Sequence, residues 1–225
     1  EKYFGRQALT MKNVYIYCEG QTEEAFVNEI LTPYFVNFMI YVTPIVCSTK
    51  RTASAKHRGG VSDYNKIKSE LTKLCRQHKN EYVTTMFDYY GMPENTPNIL
   101  CDESDIYKRT EMIESAVNRD IGEANCIFHF MLHEFEGNLF SKPKVFLAVT
   151  DEATAAKIQK IRDEAKSPEH INNSVRTAPY KRLEMLIPHY PKVRYGALLS
   201  KKIGIDAILG ECKHFEKWIE TIKKL

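Results

Sequence analysis

Residues 14–24 read Val-Tyr-Ile-Tyr-Cys-Glu-Gly-Gln-Thr-Glu-Glu and carry the clearest structural signal in the chain. The apolar, β-branched and aromatic residues at the start are typical of a buried strand. This strand is expected to end at Glu19, and Gly20 allows the sharp turn that follows. Thr22 is expected to be the N-cap of a helix with Glu23 in its first turn. Carboxylates at a strand end repel each other unless a cation or a shared proton lies between them, so the stretch predicts a metal site.

Strand-like and helix-like patterns alternate over the first 140 residues. Strands are predicted at residues 13–18, 40–47, 82–88 and 126–132. Helices are predicted at residues 23–38, with a bend at Pro33, and at 63–79 and 104–119. Such alternation implies right-handed crossovers. The predicted fold class is therefore α/β, with a mostly parallel central sheet flanked by helices.

The carboxyl ends of parallel strands lie at one edge of a sheet, so Glu19 and Asp88 are expected to meet although they are far apart in sequence. The fourth predicted strand adds Glu134 and Glu136 to that edge. Beyond residue 140 the alternation stops, and helices are predicted at residues 151–166, 177–187 and 212–224. The expected organisation is a vector-derived or tag segment at 1–10, an α/β core at 11–140 and a helical C-terminal region at 141–225, packed on the core.

The first acidic motif resembles the start of the Toprim domain of topoisomerases, DnaG-type primases and OLD nucleases. Those families have a strand, Glu-Gly and a further Glu four residues after the first, matched here by Glu19, Gly20 and Glu23. Their second signature is a strand ending in Asp-x-Asp. Asp88 matches its first acid, whereas Tyr90 stands at the second. A phenol cannot replace a carboxylate as a ligand for a hard cation.

The segment His-Glu-Phe-Glu at residues 133–136 follows the fourth predicted strand and is the candidate to restore the missing acid. Together with Pro-Glu-His-Ile-Asn at 168–172 and Thr-Ala-Pro-Tyr-Lys-Arg-Leu at 177–183, the pattern is similar to a bacterial Toprim-like family, domain of unknown function 4276. The resemblance covers nearly all of residues 11–225. It implies a Toprim-like fold, an ATPase partner encoded nearby and a role in prokaryotic, anti-phage defence.

The acidic residues form the predicted catalytic site. Oxygen ligands without a cysteine pair or clustered histidines favour Mg²⁺ or Mn²⁺ over zinc. One or two such ions would polarise a phosphodiester and activate water. For Glu23 a solvated position in the first helical turn is an equal alternative, and for His133 a hydrogen-bonded residue at a strand exit. The predicted metal ligands are Glu19, Asp88, Glu134 and Glu136, and the predicted catalytic residues are these four with Glu23 and His133.

Two basic sets are candidates for binding the phosphates of DNA or RNA. The first is a glycine-ended segment after the second strand, with Lys50, Arg51, Lys56 and Arg58. Phosphate binding and a solvated basic loop are both open readings of it. The second set comprises Lys181, Arg182, Lys192, Arg194, Lys201 and Lys202. The net charge of +3 permits nucleic-acid binding without indicating it.

Composition is that of a globular protein, with 43% hydrophobic and 27% charged residues in 225. The six cysteines form no CxxC pair, which predicts reduced thiols, a cytoplasmic location and no zinc motif. No membrane partner is expected, and a homo-oligomer is possible. The leading prediction is a Mg²⁺-dependent nuclease or phosphotransfer subunit. The alternatives are a catalytically degenerate Toprim module that binds nucleic acid or a protein, and a receiver-like signalling domain with Asp88 as its acceptor.

Overall fold

A computed structural model describes residues 11–47, 63–132, 134–171 and 177–225. The first basic set, His133 and residues 1–10 lie outside these ranges. A parallel sheet stands at the centre, with strands in the order β2–β1–β3–β4, and β5 also pairs with β3. The strands are β1 Lys12–Cys18, β2 Ile40–Val46, β3 Tyr82–Asp88, β4 Cys126–Ile127 and β5 Phe130–Met131.

The register of the sheet aligns the carboxyl ends of its central strands. Cys18, the last residue of β1, pairs with Val46 of β2 on one side and with Met86 of β3 on the other. The loops that leave β1, β2 and β3 therefore start at the same edge, which is where an open α/β sheet binds ligands. The predicted parallel sheet with flanking helices is confirmed.

The first helical segment follows β1 directly and contains α1 (Gln21–Phe26), a π-helical turn (Val27–Leu31) and α2 (Thr32–Val36). The prediction that Thr22 caps this segment was wrong. Gly20 occupies the cap position with extended backbone, and Thr22 lies buried inside α1. A helix can begin without a side-chain cap when tertiary packing holds its first turn.

Two further helices belong to the first half of the chain and have the side-chain caps that the first lacks. These are α3 (Tyr64–Gln77) and α4 (Ile106–Ile121). Asp63 accepts a hydrogen bond from the backbone N–H of Asn65, and Asp105 caps α4 in the same way. α4 ends at Gly122, whose φ of 71° is the left-handed conformation that glycine adopts without strain.

The prediction of a single fourth strand over residues 126–132 was wrong. Two short strands replace it, and His129 lies between them. The Thr85 hydroxyl donates to the His129 carbonyl and accepts from its backbone N–H, each over 2.8 Å. Because a side chain takes both backbone groups of His129, the ladder with β3 is interrupted there.

Helices and 3₁₀ turns make up the remainder of the described chain. The 3₁₀ turns Phe135–Ser141 and Pro143–Ala148 come first. The sequence patterns did not predict α7 or α8. The helices are α5 Glu152–Asp163, α6 Pro179–Leu186, α7 Lys192–Ile203, α8 Ile205–Glu211 and α9 Lys213–Lys223.

The described residues form two apolar clusters, one on each face of the sheet. Val14 and Ile16 of β1 point into the larger cluster, which also contains Trp218 and Ile222 of α9. Tyr17 points to the other face and packs with residues of α3 and α4. This alternation follows from the two-residue period of a strand. No helix in the described part of the chain has the length and apolar character needed to cross a bilayer.

Candidate metal centre at the carboxyl ends of the strands

Glu19 and Asp88 lie side by side at the ends of two neighbouring strands. The backbone N–H of Asp88 donates to Oε2 of Glu19 over 3.1 Å, and the backbone N–H of Glu19 donates to the Met86 carbonyl. Gly91 leaves room for the carboxylate. A Cβ built at Gly91 would lie 3.1 and 3.3 Å from the two oxygens of Glu19. The two strand-end acids therefore share one site.

The segment after β5 joins the same site through a backbone contact. Oδ1 of Asp88 accepts a hydrogen bond from the backbone N–H of Phe135 over 3.0 Å. Phe135 stands between Glu134 and Glu136, so this bond holds both acids against the end of β3. The Glu136 side chain is completely buried. Oε2 of Glu134 accepts from the backbone N–H of Tyr180, in the first turn of α6, over 2.8 Å.

Lys192, the first residue of α7, is the cation of this cluster. Its ammonium lies 3.1 Å from Oε2 of Glu136 and 4.0 Å from Oδ2 of Asp88. The contact with Glu136 is electrostatic, since neither oxygen of that carboxylate accepts a hydrogen bond from the described residues. Burial works against the charge of Lys192, but the carboxylates of Glu136 and Asp88 outweigh it and raise the lysine pKa.

The pKa values of the three carboxyls are raised chiefly by burial and, to a smaller extent, by neighbouring negative charges. Burial, followed by the charge of Glu19, raises the pKa of Asp88 well above its usual value although Lys192 opposes the rise. Burial raises the pKa of Glu136 to about 7 against the same lysine, and burial also raises the pKa of Glu134. Among the described residues, the Lys192 ammonium lowers the pKa values of these acids without outweighing their burial. A divalent cation bound among them would favour their charged forms.

An open cleft of about 650 Å³ gives access to the cluster. Glu19, Glu23, Asp88 and Lys192 contribute to its wall, and Val46 lies at the opposite side, where β2 ends. Glu23 is 4% exposed, so its side chain is part of the site and is not a solvated helix-start residue. The available donors are carboxylate oxygens, which is the ligand set of Mg²⁺ and Mn²⁺.

The sequence model of the family described as "Domain of unknown function (DUF4276)" matches residues 18–223. The chain belongs to this family. The resemblance to domain of unknown function 4276, which the sequence motifs predicted, is thus confirmed. Among solved structures, the C-terminal region of the Xanthomonas campestris pv. campestris OLD protein is similar, with 15% sequence identity, a TM-score of 0.41 and coverage of 87% of this chain and 86% of that one. A comparison with curated proteins gave no match.

The members of the second basic set have different surroundings in this DUF4276 chain. Lys181 pairs with Glu184 over 2.7 Å, and Nε of Arg182 donates to the Thr177 carbonyl over 2.8 Å. Lys192 lies in the acidic cluster, at the wall of the cleft. The side chains of the three other members, Arg194, Lys201 and Lys202, are exposed on α7.

Two features of the described chain were missed from the sequence. The first is the role of Lys192 as the counter-ion of Glu136, because the sequence around this lysine resembles that of surface cations. The second is a cluster of Glu114, His129 and His214, whose potential ligand atoms all lie within 4.8 Å of one another. Their separation in sequence gives no metal-ligand spacing, so only the fold brings them together.

Proposed function

We propose that this DUF4276 protein is a Toprim-type nuclease, or a related phosphotransfer subunit, that uses Mg²⁺ or Mn²⁺ to act on DNA or RNA. The observation that carries the proposal is the convergence of Glu19, Asp88 and the buried Glu136 from three chain segments, beside a cleft that Glu19, Asp88 and Lys192 line. Isolated acids at strand ends are common. Three that meet beside a lysine, two of them with a pKa raised chiefly by burial, form a site that a divalent cation would suit.

Glu19, Asp88 and Glu136 would hold the metal, and Glu134 is the further candidate ligand. The bound ion supplies polarisation of the phosphodiester and a more acidic water. The hydrogen bond from the backbone N–H of Asp88 holds the Glu19 carboxylate at the end of β3, beside Asp88. Glu23 lines the same cleft, and in this proposal it would accept a proton from the attacking water.

Lys192 has two roles in this proposal. In the metal-free protein its ammonium neutralises part of the charge of Glu136 and Asp88. During the reaction an ammonium at the edge of the cleft stabilises the negative charge that develops on the phosphoryl oxygens. The lysine is 32% exposed, so a substrate in the cleft can reach it.

The second candidate function is a module that binds nucleic acid or a protein without cleaving it. Tyr90 favours it, because this residue stands where the Toprim signature has its second aspartate. Burial raises the Tyr90 pKa to about 12, so the phenol is neutral and is not an anionic ligand. Glu136 favours the enzyme, since it brings a further carboxylate towards Asp88 from another segment. A receiver-like role for Asp88 has the least support, as β1 is not followed by the acidic pair that receivers use.

The Toprim-like resemblance adds three further parts to the proposal: an ATPase partner, a role in prokaryotic defence and a cytoplasmic location. The proposal is also compatible with a homo-oligomer. The chain has no Walker A motif, so nucleotide hydrolysis would come from the partner.

The decisive experiment incubates the purified protein with plasmid DNA and with RNA in Mg²⁺, Mn²⁺ or EDTA, with and without the ATPase encoded nearby. Cleavage is expected with either ion and not with EDTA. Asp88→Asn should end cleavage and keep substrate binding. Glu164→Gln is the control, because Glu164 is an exposed acid on the surface beyond α5. Binding without cleavage in every condition would overturn the nuclease proposal in favour of the binding module.

A further inference from the structure

A second set of potential metal ligands lies outside the acidic cleft, where α4, the β4–β5 connection and α9 meet. Oε1 of Glu114 is 2.9 Å from Nε2 of His214 and 3.3 Å from Nδ1 of His129. The side chains of His129 and His214 are 3% and 4% exposed, and that of Glu114 is 14% exposed. Two imidazoles and one carboxylate therefore converge in a nearly dry interior.

The two histidines are fixed by contacts with other elements. The Thr85 hydroxyl holds both backbone groups of His129, and the ring of Trp218 stacks on its imidazole with centroids 4.5 Å apart. The Glu169 carboxylate accepts the backbone N–H groups of His214 and Phe215 at the start of α9.

Glu114 is fixed in the same manner. Its Oε1 accepts the backbone N–H of Phe130 over 2.9 Å. All three side chains are thus positioned before any ligand arrives, which lowers the cost of binding one.

We propose that Glu114, His129 and His214 bind a Zn²⁺ ion that ties α9 to the sheet. Two nitrogens and one oxygen are a ligand set that zinc takes in proteins, with a fourth position left for water. Around a tetrahedral ion with bonds of about 2.1 Å, ligand atoms lie about 3.4 Å apart. The measured distances of 2.9 and 3.3 Å from Glu114 are close to this value, and all three potential ligand atoms lie within 4.8 Å of one another.

Without an ion, three polar groups surround one oxygen of Glu114. Oε1 of Glu114 already accepts the backbone N–H of Phe130, and it is also the oxygen nearest to both imidazoles. A carboxylate oxygen has two lone-pair directions, and here one backbone N–H and two ring nitrogens compete for it. A cation between the rings and the carboxylate removes this competition, because the ring nitrogens then act as acceptors towards the ion.

The outer nitrogens of the two rings set a limit on affinity. Nε2 of His129 and Nδ1 of His214 are buried and have no partner among the described residues. Metal-bound histidines usually donate this second N–H, and loss of such a partner typically weakens binding by about 10- to 100-fold. The site is therefore expected to be weaker than a zinc site with a complete outer hydrogen-bond network.

The zinc cluster is separate from the acidic cleft and does not depend on the proposed nuclease function. Thr85, which holds His129, precedes Asp88 on β3 by three residues, or about 10 Å along the strand. The two sites also differ in ligand type, because the described residues that line the cleft include carboxylates and no imidazole. Their ions can be distinguished in one experiment.

The test uses the full chain with Glu19→Gln and Asp88→Asn, so that the cleft binds no ion. After EDTA treatment and removal of the chelator, this protein is titrated with Zn²⁺ and, in parallel, with Co²⁺. Co²⁺ absorbs visible light much more strongly in a tetrahedral site than in an octahedral one. One equivalent of Zn²⁺, a raised melting temperature and a strong Co²⁺ band are expected.

Glu114→Gln added to that background should weaken Zn²⁺ binding at least tenfold and abolish the band. Glu111→Gln is the matched control, because Glu111 lies on the same helix and pairs with Lys217 at the surface. The titrations of the Glu19→Gln, Asp88→Asn protein test the zinc proposal even if the Glu114 variant fails to fold. Absence of stoichiometric Zn²⁺ binding, or only a weak octahedral Co²⁺ spectrum, would overturn the proposal, and so would equal affinity in the Glu114 and Glu111 variants.

Discussion

The backbone N–H of Asp88 donates a hydrogen bond to the Glu19 side chain over 3.1 Å, which joins the end of β3 to the end of β1. Asp88 in turn accepts from the backbone N–H of Phe135, so it links both neighbouring acidic segments. Each carboxylate is thus held by a backbone donor that belongs to another segment. The arrangement keeps like charges close together, which is unfavourable without a cation and favourable for binding one.

A divalent cation should stabilise the protein through this cluster. Mg²⁺ or Mn²⁺ binds the native state and is expected to raise the melting temperature, with a shift that grows with ion concentration. Glu19→Gln combined with Asp88→Asn should abolish the shift, whereas Glu164→Gln should retain it. Differential scanning fluorimetry in EDTA and in increasing Mn²⁺ measures this. An undiminished shift in the double variant would place the bound ion elsewhere.

Gly91 is expected to be required for the position of Glu19. In Gly91→Ala the new Cβ would lie 3.1 Å from Oε2 of Glu19, so the carboxylate must move by a few tenths of an ångström. Mn²⁺ binding should weaken about tenfold, which corresponds to about 1.4 kcal/mol. Folding should be little affected, since a flexible side chain is displaced. Gly210→Ala is the control, because a Cβ there meets nothing within 4 Å. Equal Mn²⁺ affinity in both variants, by calorimetric titration, would contradict the placement of Glu19 in the site.

Lys192 should matter most when no metal is bound. Lys192→Met leaves the buried Glu136 without its counter-ion and is expected to destabilise the metal-free protein by about 3 kcal/mol. Mn²⁺ should reduce that loss, because the ion compensates the same carboxylates. Urea denaturation with EDTA and with Mn²⁺ measures both values. Lys201→Met, in the last turn of the same helix, should change neither. A loss that is identical with and without Mn²⁺ would show that lysine and ion act on different groups.

Glu136 should give the metal-free protein a pH-dependent stability. Burial raises its pKa to about 7, so the folded state binds more protons than the unfolded state between the two pKa values. This contribution to stability is present below about pH 4.5 and is lost as the pH rises through 7, by about 3 kcal/mol in total. Glu136→Gln should remove that decline in EDTA. A denaturation series from pH 5 to 8 tests it, and parallel curves for both proteins would refute the assignment.

The sequence was sufficient to predict the shared edge of Glu19 and Asp88. Strand patterns are local, and parallel connection then places their carboxyl ends together. The cap of α1 was not predictable in this way, because Thr22 is a frequent cap residue but lies buried against α7. The break at His129 also depends on a partner, the Thr85 hydroxyl, that is distant in sequence.

The close packing of α7 on α1 could not be predicted from the sequence, for a similar reason. A Cβ at Gly196 would lie 3.1 Å from both the Phe135 ring and the Thr22 methyl group, so this glycine allows α7 to pack closely on α1. That packing brings Lys192 to Glu136. No pattern in the sequence around Lys192 distinguishes it from the exposed cations that follow, and its role depends on the tertiary fold alone.

The first basic set separates an enzyme that acts on nucleic acid from a module with another partner. Replacing Lys50, Arg51, Lys56 and Arg58 with glutamine should weaken binding to DNA or RNA. It should also flatten the dependence of log K on log salt, by up to about 0.9 for each phosphate of duplex DNA that the variant no longer neutralises. Lys181→Gln should have a smaller effect, because Lys181 is already paired with Glu184.

The Asp88→Asn variant is expected to have the opposite effect on the same binding measurement. It removes a negative charge from the cleft and should preserve or tighten binding while it ends cleavage, so binding and chemistry are separated in one set of variants. Fluorescence anisotropy between about 50 and 200 mM salt covers the range in which counter-ion release changes affinity most clearly. Wild-type protein that neither binds nor cleaves nucleic acid, with Mn²⁺ and the ATPase present, would exclude both nucleic-acid functions and leave a signalling or scaffold role.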